Sequence, residues 1–290
     1  MKIINRIDKM KTYARIMKKE NKLVGLVPTM GYLHEGHLSI IRAARNQSDI
    51  VIVSIFVNPV QFGPGEDFKK YPRDIKRDEE LVKSCGVDII FYPKKEDMYP
   101  EGFSTYVDVE KMTENLCGKS RPDHFRGVTT VVMKLFEIVK PDIVYFGQKD
   151  AQQAYVVKKM IEDLNMDIIT KIMPIIREED GLAMSSRNIY LTKPERKDTS
   201  LLHESLKLAE GLIGSGEINP KKIIKKMRDL LSEKPSLKID YILIVDTKSL
   251  KEVTTVEGEV LIAIAVFIGK TRLIDNIILS PSPSLCEQKT

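Results

Sequence analysis

Cysteine is scarce in this chain. Cys85, Cys117 and Cys286 stand far apart, with no CxxC between them. So few and so scattered, they indicate neither a disulfide framework nor a cysteine zinc site, and a reducing cytoplasm is the default. Long apolar runs are missing as well. No stretch reaches the roughly 18 residues that a membrane span needs, so no membrane partner is expected. The opening MKIINRIDKMKTYARIMKKE mixes apolar and charged residues at helical spacing and lacks the apolar centre of a signal peptide. There is no internal repeat and no low-complexity segment. A large charge of one sign is also absent. The 46 Lys+Arg against 41 Asp+Glu leave +5, spread along the chain. So small an excess gives no ground for a nucleic-acid partner, but it suits a protein that handles small anions.

What is present is globular. The chain has 290 residues, 42% apolar and 30% charged, which excludes wholesale disorder and leaves room for one large domain or two. Strand-like and helix-like patterns alternate over the first 175 residues. Residues 23–27 form a short apolar run ending at Pro28, and 36–45 read as a helix. Residues 50–57 (IVIVSIFV) look like a strand buried on both faces. Helices are expected over 74–84, 128–139 and 151–164, and strands over 87–92, 143–146 and 167–173. This alternation predicts an α/β fold, a Rossmann-like doubly wound parallel sheet, over residues 1–175. The pattern then changes. Two helices, 200–213 and 220–231, precede three strand candidates, 239–245, 260–267 and 272–279. Residues 176–290 are therefore expected to form a smaller C-terminal α+β domain with a frayed tail.

The stretch between Val57 and Asp74 (NPVQFGPGEDFKKYPR) is long for a loop inside a compact domain. It leaves the carboxyl end of the most buried strand, where ligands sit in open α/β sheets. It reads as a lid over a site, or as a solvated connector.

The segment LVPTMGYLHEGHLSIIRAAR carries the sharpest chemistry. A strand runs into Pro28, Thr29, Met30 and Gly31, then His34, Glu35, Gly36 and His37, then a helix. Helix starts present backbone N–H groups and partial positive charge, a ready anion site. Histidines three residues apart can face the same way. The unit suits a nucleotide phosphate. A metal pair or two incidental surface histidines are the alternatives. A second segment, DIVYFGQKDAQQ, ends a strand at Gly147 and sets Lys149 and Asp150 at the next helix start. There Lys149 can meet a phosphate, and Asp150 could cap the helix. A third, Ala183–Asn188, offers two hydroxyls and the Arg187 guanidinium, suited to a phosphate clamp or to a plain turn.

Taken in order, PTMGYLHEGH, FVNPVQF, RPDHFRGVTTVV, FGQKDAQQ and GLAMSSRNIYL, with the later RLIDN at 272–276, resemble the pantothenate synthetase (pantoate–β-alanine ligase) family. HxGH alone would indicate only the wider nucleotidyltransferase superfamily. The resemblance implies ATP as a substrate with Mg²⁺, a pantoyl-adenylate intermediate, and condensation of pantoate with β-alanine. It implies that the C-terminal domain acts as a lid and that the chain works as a homodimer through its N-terminal domain. It places Met30, Gly31, Tyr32, Leu33, His34, Glu35, Gly36 and His37 along ATP, with His37 as proton donor. Gly147, Gln148, Lys149 and Asp150 would hold the nucleotide, Ile176 the adenine side, and Met184, Ser185, Ser186 and Arg187 would close over it. Gln61 and Gln153 would hold pantoate, with Gln61 also near β-alanine. Asn58, Arg121 and His124 would lie near the acid substrates, and Asp78 would aid magnesium. Without the family, a solvated loop residue is the lesser alternative for Gln61, while Gln153 reads equally as an ordinary helix residue. A nucleotidyltransferase for a phosphorylated substrate and a non-catalytic nucleotide- or RNA-binding module are the rival readings.

Overall fold

The computed structural model describes residues 1–280. The expected tail, with Cys286, lies outside them apart from Ser280. Strands β1 (Lys2–Ile4), β2 (Val24–Thr29), β3 (Ile50–Ile55), β4 (Ile89–Phe91), β5 (Ile143–Gly147) and β6 (Ile169–Met173) form a parallel sheet in the order β1-β4-β3-β2-β5-β6. Side chains alternate across a strand. Val51 and Val53 accordingly face one core, while Ile52 faces the other. On one face lie helices α1 (Ile7–Lys19), α6 (His124–Val139) and α7 (Ala151–Asp163). On the other lie α2 (Glu35–Gln47) and α3 (Ile75–Ser84). With both faces covered, β3 can be β-branched almost throughout. Two one-turn helices, α4 (Lys95–Met98) and α5 (Cys117–Ser120), lie in the connection from β4 to α6.

After β6 the architecture changes, as the pattern predicts. Helices α8 (Lys193–Asp198), α9 (Ser200–Gly214) and α10 (Pro220–Leu231) precede an antiparallel sheet of β7 (Leu237–Asp246), β8 (Val260–Ile268) and β9 (Thr271–Leu279). Helices α9 and α10 bury Leu202, Leu206, Ile223 and Met227 against Ile262 and Ile264 of β8. The start of α10 shows how local sequence sets a boundary. The Asn219 side chain accepts from the N–H groups of Lys221 and Lys222, and Pro220 fills the first position. A further apolar cluster joins the two sheets' regions, with Leu116, Phe125 and Val156 packed with Val245 and Leu261.

The structure departs from the sequence expectation in places. The N-terminus begins with β1, paired in parallel with Ile89–Phe91, before its helix starts. Helix α6 begins at His124, a turn before the expected Val128. Among the described residues, no helix is long and apolar enough to cross a membrane.

Candidate active site

Strands β2 and β5 are neighbours, and the chain leaves them towards opposite sides of the sheet. Their carboxyl ends therefore flank the crevice at which doubly wound sheets take ligands. The HxGH turn follows β2, and the Lys149 turn follows β5.

The HxGH turn is held from below. Gly31 has φ +81°, and a Cβ there would come within 2.9 Å of Ile55 and 3.0 Å of the Asp78 carboxylate. Asp78, on α3 and 1% exposed, accepts the Tyr32 and Leu33 N–H groups at 2.7 Å each. Burial raises its pKa, while the two N–H groups pull the other way. With each oxygen accepting one N–H, Asp78 braces the turn. These bonds commit the Tyr32 and Leu33 N–H groups to Asp78. Leu33 is a core side chain, and Glu35 is exposed and paired with Arg42.

His34 and His37 lie with ring centroids 4.1 Å apart. The His34 N–H donates to His37 Nδ1 at 3.4 Å, which leaves the neutral His37 proton on Nε2. Burial lowers the His34 pKa to about 2, aided by the charges of His37 and Lys149. Burial and then Lys149 lower that of His37 to about 4. Both rings are neutral at pH 7. In the unliganded protein His37 can donate a hydrogen bond through Nε2–H.

Lys149 and Asp150 lie in a short 3-10 turn, Gln148–Asp150, before α7. Asp150 stands at the N-cap position of α7, but its side chain makes no cap bond, contrary to expectation; it is exposed. Ser186 Oγ donates to the Tyr32 carbonyl at 3.1 Å, tying the clamp segment to the HxGH turn. Ser185 Oγ accepts the Arg187 N–H, and the Met184 N–H donates to the Ile176 carbonyl. Arg187 reaches back to the long loop. Its Nε and Nη2 donate to the two Asp67 oxygens at 2.9 Å each.

Gln61 is not a solvated loop residue: it is 7% exposed. Its Nε2 donates to the Met30 sulfur at 3.1 Å, and its Oε1 accepts from Asn58. Asn58, 1% exposed, also donates to the Gly127 carbonyl and accepts the Val60 N–H. Its amide is committed to protein, with one donor fixed on the Gln61 carboxamide oxygen. Arg121 donates to both Glu66 oxygens at 2.6 Å and to the Gln61 carbonyl at 3.3 Å. Against the effect of burial, Arg121 holds the Glu66 carboxyl below its usual range. His124 Nδ1 donates to the Gln61 carbonyl at 2.8 Å, and burial followed by Arg121 lowers its pKa to about 4.

Met30, His34, Gly36, His37, Gln61, Gly147, Lys149, Asp150, Gln153, Ile176 and the 184–187 clamp line one cavity of about 200 Å³. A cleft of about 1560 Å³, between the loop of residues 62–70 and β9, shares Arg121, His124, Lys149, Asp150, Gln153, Ser185 and Arg187 with it. The two form a continuous recess. Glu66, Asp67, Gly127 and Asn276 have no individual role in the sequence reading, because their partners lie far away along the chain.

The sheet, the turn at its switch point and the converging lysine define a nucleotide-handling enzyme of the HxGH class. The family model described as pantoate-beta-alanine ligase matches residues 2–278, and the chain belongs to that family. It is 55% identical over 279 residues to a pantothenate synthetase of Caldicellulosiruptor saccharolyticus, covering 96% of this chain and 99% of that one. The crystal structure of pantothenate synthetase from Thermus thermophilus superposes with a TM-score of 0.90 at 40% identity, covering 96% of this chain and 99% of the other. A Francisella tularensis pantoate-beta-alanine ligase, complexed with beta-gamma ATP and beta-alanine, gives 0.79 at 33% identity, covering 97% and 100%.

Proposed function

We propose that this recess condenses pantoate with β-alanine in two steps driven by ATP. In the first, the pantoate carboxylate attacks the α-phosphate, pyrophosphate leaves, and pantoyl adenylate forms. In the second, the β-alanine amine attacks the acyl carbon and AMP leaves. A carboxylate oxygen is a poor leaving group, and adenylation corrects this. The first transition state gathers negative charge on phosphate oxygens, so preorganised donors lower its energy.

The observation that carries this reading is one small cavity shared by both histidines, Lys149, Gln61 and Gln153. Lys149 and Arg187 meet the phosphates as cations, and His34 and His37 as neutral rings. Asp150, free of capping, takes the ribose; Ile176 and Met184 flank the adenine. Gln61 and Gln153 hold pantoate by hydroxyl and carboxylate, and Gln61 stays close to the incoming β-alanine. Magnesium enters with ATP as part of the substrate. On family resemblance Asp78 aids it, each of its oxygens keeping a second lone pair beside the bonds to Tyr32 and Leu33. On family resemblance, the chain acts as a homodimer through its N-terminal domain, with the C-terminal domain as lid. On its few scattered cysteines, it acts in the cytoplasm.

The test is exchange of labelled pyrophosphate into ATP. Exchange with pantoate and no amine supports the two-step order. Exchange that requires β-alanine removes it.

A further inference from the structure

The RLIDN segment has no part in the roles above, yet two of its residues reach into the nucleotide loops. Asn276 on β9 is 4% exposed. Its Nδ2 donates to the carbonyls of Gln148 and Lys149, at 2.9 and 3.1 Å. Its Oδ1 accepts from Gln148 Nε2 at 3.2 Å. Its own N–H donates to Asp275 Oδ1 at 2.8 Å. Asp275, 2% exposed, in turn accepts from both Arg177 terminal nitrogens, at 2.6 and 3.0 Å. Arg177 opens the segment that leads to the 184–187 clamp, bridging to Ala183 on the way.

The turn that carries Lys149 is a short 3-10 turn of three residues and has no side-chain cap. A carboxamide both donates two hydrogen bonds and accepts one, which suits two carbonyls and an amide. A carboxylate would set an anion against those carbonyls. Alanine would take away both donors and the acceptor that Asn276 offers these groups.

We propose that Asn276 is a positioning residue for adenylation, fixing the 148–149 backbone so that Lys149 stands at the ATP phosphates. The C-terminal sheet thereby sets a cation of the N-terminal sheet, besides covering it. This rests on the two-step reading above. A displacement of about 1 Å at such a site can cost roughly 100-fold in rate.

The test uses the full chain with Asn276→Ala, Asn276→Asp and Asn276→Ser, alone and combined with Lys149→Ala. Pantoate-dependent pyrophosphate exchange reads adenylation; coupling of supplied pantoyl adenylate to β-alanine reads the second step. Asn276→Ala is expected to lower the exchange kcat roughly 10- to 100-fold while coupling stays within about threefold. Asn276→Asp should match or exceed that loss, and Asn276→Ser, keeping one donor, should fall between. With Lys149 already removed, Asn276→Ala should cost little more, because it acts through that residue. If coupling falls with exchange, or the double-variant losses multiply, the proposal is overturned. Asn276→Ser has the smallest perturbation and decides the matter should Asn276→Ala not fold. Wild-type protein that exchanges nothing with pantoate alone takes down the two-step reading and this proposal together; wild-type exchange with the wrong variant pattern takes down this proposal alone.

Discussion

Asp67 accepts two hydrogen bonds from one guanidinium, the Arg187 Nε and Nη2 both lying 2.9 Å from its oxygens. A planar two-oxygen anion thus fills the fork that the proposed ATP phosphate would engage. Loop and nucleotide then compete for Arg187. Asp67→Asn should lower the KM for ATP by a few-fold, since a pair about a quarter exposed is worth on the order of 1 kcal/mol. The gain should shrink at high ionic strength, where the pair is already screened. An unchanged or higher KM would mean that Asp67 does not compete.

The histidines give a pH signature. His34 is lowered to about 2, and His37 and His124 to about 4, burial being the largest cause in each. In the unfolded chain each titrates near 6.5. Between about pH 6.5 and 4 the unfolded state binds more protons, so stability falls as the solution is acidified. The Tm should drop across that window, and His34→Asn should flatten the drop. NMR titration should show no His37 transition between pH 5 and 8, and Lys149→Met should move its transition upward. A His37 transition near 6.5 in the wild type contradicts the assignment.

The strands and the anion loops were legible because their signals are local. The run of residues 50–57 announces a strand, though it stops at Ile55 because the Asn58 side chain accepts from Val60 and turns the chain at Pro59–Gln61. Strand β1 was hidden. Three residues pair with a strand nearly ninety positions away, and such pairing leaves no periodic trace. The same reason hid Glu66 and Asp67, whose arginines lie 55 and 120 residues on. In the sequence they read as the charges of a loop that was a lid or a connector. Asn276 was visible only as part of a motif, because what it does depends on a turn 128 residues earlier.

Gly127 stands where α6 crosses the Gln61 turn. A Cβ there would lie 2.6 Å from the Val60 carbonyl and 2.7 Å from the Gln61 backbone. Backbone cannot yield as a side-chain tip can, so Gly127→Ala must push the Gln61 segment away. We expect it to raise the pantoate KM, as Gln61→Ala and Gln153→Ala should by roughly 5- to 150-fold. The ATP KM should move far less. Equal losses for ATP and pantoate in the two Gln variants would remove the pantoate assignment.

His37 and Lys149 enter the recess from different strands. His37 lies in the first turn of α2, after β2; Lys149 lies in the turn after β5. In a parallel sheet both positions share one carboxyl edge, so a neutral donor and a cation can converge on one phosphate group. His37→Ala and Lys149→Ala should each depress pantoate-dependent exchange by roughly 100- to 1000-fold, the scale for removing one transition-state donor. Folding should be little affected. The Lys149 side chain is half-buried, and removing its charge relieves the pressure that lowers His34 and His37. A structural role would instead lower the Tm, with activity lost in proportion to unfolded protein. The decisive comparison supplies ready-made pantoyl adenylate. That substrate has already lost pyrophosphate, so a variant defective only in phosphate chemistry should couple β-alanine at a substantial fraction of the wild-type rate. Coupling that collapses as deeply as exchange would show that the two residues serve the whole recess, and their phosphate-specific roles would fall.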